Sequence, residues 1–478
     1  MTSGKSRICE LVEEKKDLYT RASDKIWDFA ETRFNLTRSA DVLCDMLADA
    51  GFQVQRGACG MEDAIIASWG TGKPMIGILG EYDALPNLNQ EADLPQKKSA
   101  EAGAPGHGCG HHLLGIGALA AAVAIREYME ETGIHGTVKF FGCPAEEGGS
   151  GKAFMARGGA FDGLDGILTW HPMTEINIWG SSSLANYQVA FKFKGVSSHA
   201  AAAPEHGRSA LDAAELMNVG VNYLREHVVQ EARIHYAYLD VGGEAPNVVQ
   251  PTAKLLYFVR APISSQVKEI YERVVNIAKG AALMTGTEME IEWDSACAEY
   301  IVNAPLACAM QDNAEQLGAL QFTKEEQAFA QQYVDLLPEQ TRLNIQNKLR
   351  HVFSEEKGET LENILNQPIL EEVMPLKLTE TPMAGSTDVG DASWQAPTVQ
   401  MTAPCYPIGT VPHSWEWVSC GKNSIAHKGM LYAGKVIAMT ALDMLTDSEL
   451  MEQAHTDYTD RLAGETYFCP IPKDIEPR

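Results

Sequence analysis

Hydrophobic positions along the first 170 residues follow two rhythms. Spacings of three and four predict amphipathic helices over Cys9–Thr32 and Ser39–Ala50, and a longer, almost wholly apolar helix over about Leu113–Thr132. Between them lie short apolar runs at Met75–Leu79, Thr137–Gly142 and Gly166–Trp170, which read as buried strands. Strands that alternate with helices predict an α/β layer, a mainly parallel sheet flanked by helices. After residue 185 the order changes. Strands at Ala185–Lys194, Ile234–Asp240, Thr252–Arg260 and Met289–Trp293 enclose helices at Gly207–Val229 and Ser264–Thr285. That order, strand–helix–strand–strand–helix–strand, is the order of a ferredoxin-like sandwich.

A small α+β domain is therefore expected at 186–298, inserted into a catalytic domain built from 1–185 and 299–478. Helical patterns resume near Pro305, and a last helix is expected over Ser424–Thr446. The Gln- and Glu-rich stretch 323–372 reads as a helical appendage to the second part. A chain of 478 residues, 45% of them hydrophobic, has enough apolar surface for two cores.

The formal net charge of −26 argues against nucleic acid or an anionic membrane surface as a partner. It also means that an anionic substrate needs local cationic residues. No uninterrupted apolar run approaches a membrane span; Leu113–Ile125, rich in Ala and Gly, reads as a buried helix. Met1–Cys9 lacks the apolar core of a secretory signal. The ten cysteines form neither a small disulfide framework nor a paired C-x-x-C zinc site, so a reducing cytoplasm is expected.

Candidate chemistry lies at strand ends and in the loops that follow them, where open α/β sheets place their sites. Gly80–Pro86 presents Glu81 and Asp83 in alternation, although acidic residues are also ordinary in turns. Gly106–His112 gathers three histidines and Cys109 within a glycine-rich stretch, offering imidazole and thiolate ligands on a backbone free to curl around an ion. Cys109 as a nucleophile activated by nearby histidines is the rival reading. In Cys143–Gly149 the adjacent Glu146 and Glu147 repel each other unless a cation stabilises them. One can bind metal while the other takes a proton from the attacking water. The Gly-Gly-Ser-Gly-Lys continuation is no phosphate loop, because Glu146 stands where its first glycine belongs and Ala153 where its Ser/Thr belongs. Gly115-x-Gly117-x-x-Ala120 falls inside a helix and is better explained by close helix packing than by a dinucleotide. His171 ends a strand; His413 precedes the last helix and is favoured over His427, which lies within it.

The order of these motifs, with Trp170–Pro172, Gly195–Ala200 and Pro412–Ser414, resembles the aminoacylase and carboxypeptidase G superfamily of metallopeptidases. The Cys-Gly-His element is similar to its amidohydrolase branch, which includes hippurate hydrolase, and the likeness runs along nearly the whole chain. The resemblance implies hydrolysis of the amide bond of an N-acyl amino acid, p-aminobenzoyl-glutamate foremost. Indole-acetyl or benzoyl conjugates and dipeptides are the alternatives. It implies Cys109, His111, Glu147, His171 and His413 as ligands of two divalent metal ions, Glu146 as general base, and Asp83 as a supporting carboxylate, with Glu81 near it. It implies that 186–298 serves as lid and dimerisation domain, that His199 reaches the site of the opposing subunit, and that Asn247 and Arg260 contact substrate. Thiolate ligation alone would favour zinc, whereas the resemblance favours manganese. The partner is expected to be a second copy or a paralogous chain, without which this one is weakly active. His112 stands where the branch commonly has an acidic residue or Asn, so it is either an extra ligand or marks a missing hydrogen-bond acceptor. A non-catalytic binding protein is disfavoured by the intact Glu146–Glu147 pair.

Overall fold

The apolar runs build a seven-stranded sheet in the computed structural model, which describes residues 1–477. Its strands are β1 (Gln53–Arg56), β2 (Ile65–Thr71), β3 (Met75–Glu81), β4 (Gly136–Cys143), β5 (Gly166–Met173) and β6 (Asn177–Ile178), with one more from far along the chain. A second sheet contains β7 (Ala185–Lys194), β8 (Arg233–Asp240), β9 (Thr252–Ala261) and β10 (Glu288–Cys297); β11 (Thr398–Pro404) then returns to the first. The large sheet has the order β1-β2-β4-β3-β5-β11-β6. Its four central strands, β4, β3, β5 and β11, are mutually parallel, and the edges pair antiparallel. Parallel strands end on one side, so Glu81, Cys143, Met173 and Pro404 all leave the sheet along the same edge.

The helix His111–Thr132 begins at that edge and packs over β3, beside the helix Ser424–Thr446. By length and composition it could cross a membrane, but 83% of its most apolar window is buried inside the fold. Its small residues let neighbours approach. A Cβ on Gly115 would lie 2.7 Å from the Glu81 carbonyl oxygen, and one on Gly117 would lie 2.8 Å from the Trp170 ring. Trp170 fixes this contact by donating from Nε1 to the Leu114 carbonyl at 3.0 Å. The Gly-x-Gly pattern is a packing device.

The small sheet has the order β10-β7-β9-β8, wholly antiparallel, with the helices Ala210–Leu224 and Ser264–Thr285 packed together against it. Residues 323–372 contain three helices, Lys324–Leu336, Glu339–Val352 and Glu359–Leu365. Glu326 closes a capping box with Thr323 and also pairs with Lys428 at 2.6 Å, which ties the first of them to the helix Ser424–Thr446.

Several elements differ from the sequence pattern. The expected helix over Cys9–Thr32 is two helices, Ser3–Glu14 and Lys16–Phe29. The chain bends at Lys15, and each half lays its own apolar face on the helix His111–Thr132. The helix Ser424–Thr446 is followed by another, Ser448–Leu462, whose one fully buried side chain, Ala454, leaves little apolar periodicity to read. The strand β11, central in the sheet, carries Thr398, Gln400 and Thr402 among its buried residues and so lacks a continuous apolar run.

Gly115→Ala is expected to cost about 1–3 kcal/mol, because the new methyl meets backbone and cannot be accommodated by a rotamer change. Gly280→Ala, at an open position in the helix Ser264–Thr285, should be neutral or stabilising by up to about 1 kcal/mol. Urea unfolding of both variants checks the pair.

Candidate active site

Gly110 shapes the loop that delivers two of the ligand candidates. Its φ is +82°, and a Cβ there would collide with the Tyr406 hydroxyl and the Pro172 ring, so only glycine fits between Cys109 and His111. Non-glycine residues hold the same left-handed conformation at Ala145 (φ 61°), Ser150 (φ 58°) and His413 (φ 60°). Such backbone costs on the order of 1 kcal/mol at each position and persists where surrounding structure over-determines it. Here the strained positions bracket Glu146 and Glu147 and present His413.

Asp83 organises the centre. Its Oδ1 lies 3.0 Å from His111 Nδ1, and its Oδ2 accepts from the Glu147 backbone N–H at 3.0 Å. His111 Nε2 is thereby aimed away from Asp83, 3.2 Å from Glu81 Oε2 and 3.9 Å from Glu146 Oε2. His171 donates from Nδ1 to the Pro172 carbonyl at 2.8 Å, which leaves Nε2 free, 3.4 Å from Cys109 Sγ. His413 Nε2 lies 3.4 Å from Glu147 Oε2, its backbone held by an N–H bond to the Gly108 carbonyl at 2.8 Å.

Donor atoms converge in three groups, Cys109–His111–His171, Cys109–Glu147–His413 and Glu81–His111–Glu146, with separations within 4.8 Å in each group. Glu81 Oε2, His111 Nε2 and Glu147 Oε1 are all buried with no hydrogen-bond partner. The first two face each other at 3.2 Å, but burying three such atoms without a hydrogen bond is costly, and a divalent cation among them offsets the cost. Thiolate, imidazole and carboxylate together form a donor set for transition-metal ions or zinc.

Charge and burial tune these groups differently. Burial, reinforced by the charges of Glu81, Glu147 and Asp388, pushes the Glu146 carboxyl well above its ordinary value. Burial pushes Glu147 the same way, but its hydrogen bond to His413 and the charge of His111 outweigh that and bring it to about 2. Burial and Glu147 raise the Cys109 thiol well above its usual value against the pull of His111. A thiol so held is protonated at neutral pH and is a poor nucleophile unless a cation stabilises its thiolate.

Two residues of this centre had no clear mark in the sequence. Lys152, fully buried, places Nζ 2.6 Å from Glu81 Oε1 and 2.5 Å from Asp388 Oδ1, and its backbone N–H donates to Asp388 Oδ2 at 2.9 Å. Lys152 belongs to the Gly-Gly-Ser-Gly-Lys stretch, whose lysine meets carboxylates here. Asp388 sits in an unremarkable Ser-Thr-Asp turn; its signal lay only in the need for a partner to a buried lysine.

The other expected residues divide. Arg260 lines the same cavity as the cluster, about 400 Å³ in volume, with its guanidinium 4.0 Å from the Phe258 ring centroid and its Nε unpartnered. His199 and Asn247 do not line it. They lie side by side on the small domain, exposed, joined by an N–H bond from Ala200 to the Asn247 carbonyl at 2.9 Å. His112 turns into the core, where its Nε2 meets the Gly421 carbonyl at 2.8 Å and its ring packs 4.8 Å from His107. It belongs to none of the donor groups found among the described residues. His427 pairs with Asp24 at 2.9 Å, away from the cluster.

The two sheets, with clustered imidazole, thiol and carboxylate donors along one edge, define a metal-dependent amidohydrolase. The chain belongs to peptidase family M20/M25/M40, whose model matches residues 77–332. It is 45% identical to one of the two named subunits of p-aminobenzoyl-glutamate hydrolase of Escherichia coli strain K12, covering 98% of both chains. It is also 28% identical to Xaa-Arg dipeptidase of Mus musculus, over 96% of this chain and 93% of that one. Its fold matches a Bacillus subtilis protein described as a dinuclear metal binding peptidase from the M20 family, with a TM-score of 0.55 and 16% identity. That match covers 90% of this chain and 99% of the other.

Lys152→Met leaves Glu81 and Asp388 buried without their cation, and is expected to lower stability by about 3–5 kcal/mol. Thermal unfolding should show a large drop for Lys152→Met and a smaller one for the charge-balanced pair Lys152→Met with Asp388→Asn.

Proposed function

We propose that this chain hydrolyses the amide bond of an N-acyl amino acid, p-aminobenzoyl-glutamate foremost, at a two-metal centre. The observation that carries the reading is one cavity lined by Arg260 and by four of the five donors, Cys109, Glu147, His171 and His413, with His111 grouped behind them. Cys109, His111 and His171 would hold one cation, and Cys109, Glu147 and His413 the other, with manganese favoured over zinc. When bound, the ions would polarise the scissile carbonyl and acidify the attacking water. Glu146, which lines the cavity beside the donors, would take a proton from that water and deliver it to the leaving amine nitrogen. Asp83 fixes the His111 ring so that Nε2 faces the cluster.

Arg260 pairs with the substrate carboxylate, the local cation that a chain of net charge −26 requires. An unpartnered guanidinium Nε beside the cluster suits an acidic leaving amino acid better than the arginine of an Xaa-Arg dipeptide. His199 accepts at Nδ1 from the Ala201 and Ala202 backbone N–H groups at 3.2 and 3.1 Å. Its Nε2 is left to point outward, and we assign it to the oxyanion site of a facing subunit, with Asn247 beside it on the substrate. In this reading residues 186–298 are the lid and dimerisation domain. The edge strand β8, with Tyr236 exposed, and Val219 and Tyr223 on the adjacent helix supply an apolar docking face. The partner is a second copy or, since the relative is one of two differently named subunits of its hydrolase, a paralogous chain. The ten free cysteines suit the reducing cytoplasm.

Glu146→Gln should lower kcat for p-aminobenzoyl-glutamate by about 10²–10⁴ while metal content by elemental analysis is unchanged. Near-normal turnover with metals bound would sink the mechanism. Chelation should abolish activity, and manganese should restore it more fully than zinc. Sharing of His199 between subunits has its own test. Mixing inactive Glu146→Gln chains with inactive His199→Ala chains should recover roughly a quarter of wild-type activity, since half the dimers gain one complete site. Recovery would be absent if His199 served its own chain.

A further inference from the structure

Gln400 is a buried side chain that the mechanism leaves unused. It lies within the large sheet on β11, between β5 and the edge strand β6, 2% exposed, and its Nε2 has no hydrogen-bond partner. An unsatisfied buried carboxamide destabilises the fold, and a hydrophobic residue would fill the strand without that cost. Gln400 lines the cavity that holds the donor cluster and Arg260.

Register fixes its place. Parallel to β5, Thr402 stands level with His171 and Gln400 level with Thr169, so Gln400 shares a sheet face with the ligand candidate His171, one pair of residues deeper. Two residues of strand rise about 6.6 Å, close to the span of one aromatic ring with its para substituent. The surroundings are ring-like in their chemistry. The Trp179 backbone N–H donates to the Gln400 carbonyl at 3.0 Å, and Trp179, Met173 and Met383 line the same cavity. Aromatic and thioether side chains make a favourable bed for a flat aryl group. Arg260 and Gln400 both line the cavity, the first from β9 of the small sheet and the second from β11 of the large one. Arg260, on the small domain, takes the amino-acid carboxylate, which leaves Gln400, on the large sheet, for the acyl half.

We propose that Gln400 is the specificity-determining residue of an aryl-acyl subsite, its carboxamide hydrogen-bonding a polar para substituent such as an amine. This rests on the reading of the chain as an N-acyl amino acid hydrolase. An aryl amine donates, so the carboxamide meets it with its acceptor oxygen, by a half-turn that puts Oε1 where the unpartnered Nε2 now lies. A site built to hydrogen-bond a substituent disfavours the analogue that lacks it, because its buried polar group then stays unpaired.

The test compares p-aminobenzoate with benzoate as ligands, by calorimetry, and the two corresponding acyl-glutamates as substrates. Wild type and the near-isosteric Gln400→Met are used. Wild type should bind p-aminobenzoate about tenfold more tightly than benzoate. Gln400→Met should erase that ratio by weakening p-aminobenzoate alone, with the loss in hydrolysis appearing in KM and not in kcat. Its melting temperature should be unchanged or higher, since a buried unpaired group is removed. Equal affinity of wild type for both acids, or equal weakening of both in the variant, would overturn the subsite. Selective binding of p-aminobenzoate without cleavage of either glutamate conjugate would uphold the subsite and overturn the proposed hydrolase function.

Discussion

Glu81, Asp83, Glu147 and Asp388 are withdrawn from solvent around one sheet edge, and Glu146 exposes only 15% of its side chain. Like charges so placed cannot all persist without compensation. Part of the answer is built into the chain, since Lys152 neutralises Glu81 and Asp388 from within and His111 faces Asp83. The remainder, Glu147 and the unpartnered oxygen of Glu81, is left for external cations. The fold is arranged around this division. Glu81 and Asp83 come from the exit of β3, Glu146 and Glu147 from the loop after β4, and Asp388 from the segment ahead of β11; the parallel order of β4, β3, β5 and β11 brings the strand exits to one side.

Chemistry follows from the same division of charge. A carboxyl surrounded by other carboxylates and kept from water, as Glu146 is, holds its proton more firmly than a surface glutamate does. Its immediate neighbour Glu147 is driven the other way by His413 and His111. Two adjacent residues of one type thus differ in character by environment alone, one suited to moving a proton and the other to staying charged. Among the described residues that line the cavity, Arg260 is the one arginine or lysine, and the proposed reading gives it the substrate carboxylate.

The sequence displayed much of this and concealed the rest for identifiable reasons. Strands buried on both faces, such as Met75–Glu81 and Gly136–Cys143, read clearly because apolar residues dominate them, with Lys139 the one charged residue before their ends, and the helix Ser264–Thr285 matched residue for residue. The glycine-spaced histidines and the Glu146–Glu147 pair were legible because such residues seldom cluster without a task. What stayed hidden depended on partners distant in the chain. Lys152 and Asp388 are 236 positions apart and each is ordinary alone. The ambiguity of His112 was resolved only by the Gly421 carbonyl, 309 positions away. Gln400 read as a polar interruption that obscured a strand, and that polarity is now its most informative property.

The position of β11 has a consequence for how the protein is made. The strand enters between β5 and β6, which are separated from it by more than two hundred residues of chain. During synthesis β5 and β6 emerge from the ribosome long before the strand that joins them exists. Until then β5 presents a bare hydrogen-bonding edge, the kind of surface that recruits stray strands. The small sheet and its two helices are synthesised in this interval. Completion of the sheet and delivery of His413, nine residues beyond β11, are therefore nearly simultaneous events, so the cluster gains its last donor only as the nascent protein closes its own edge.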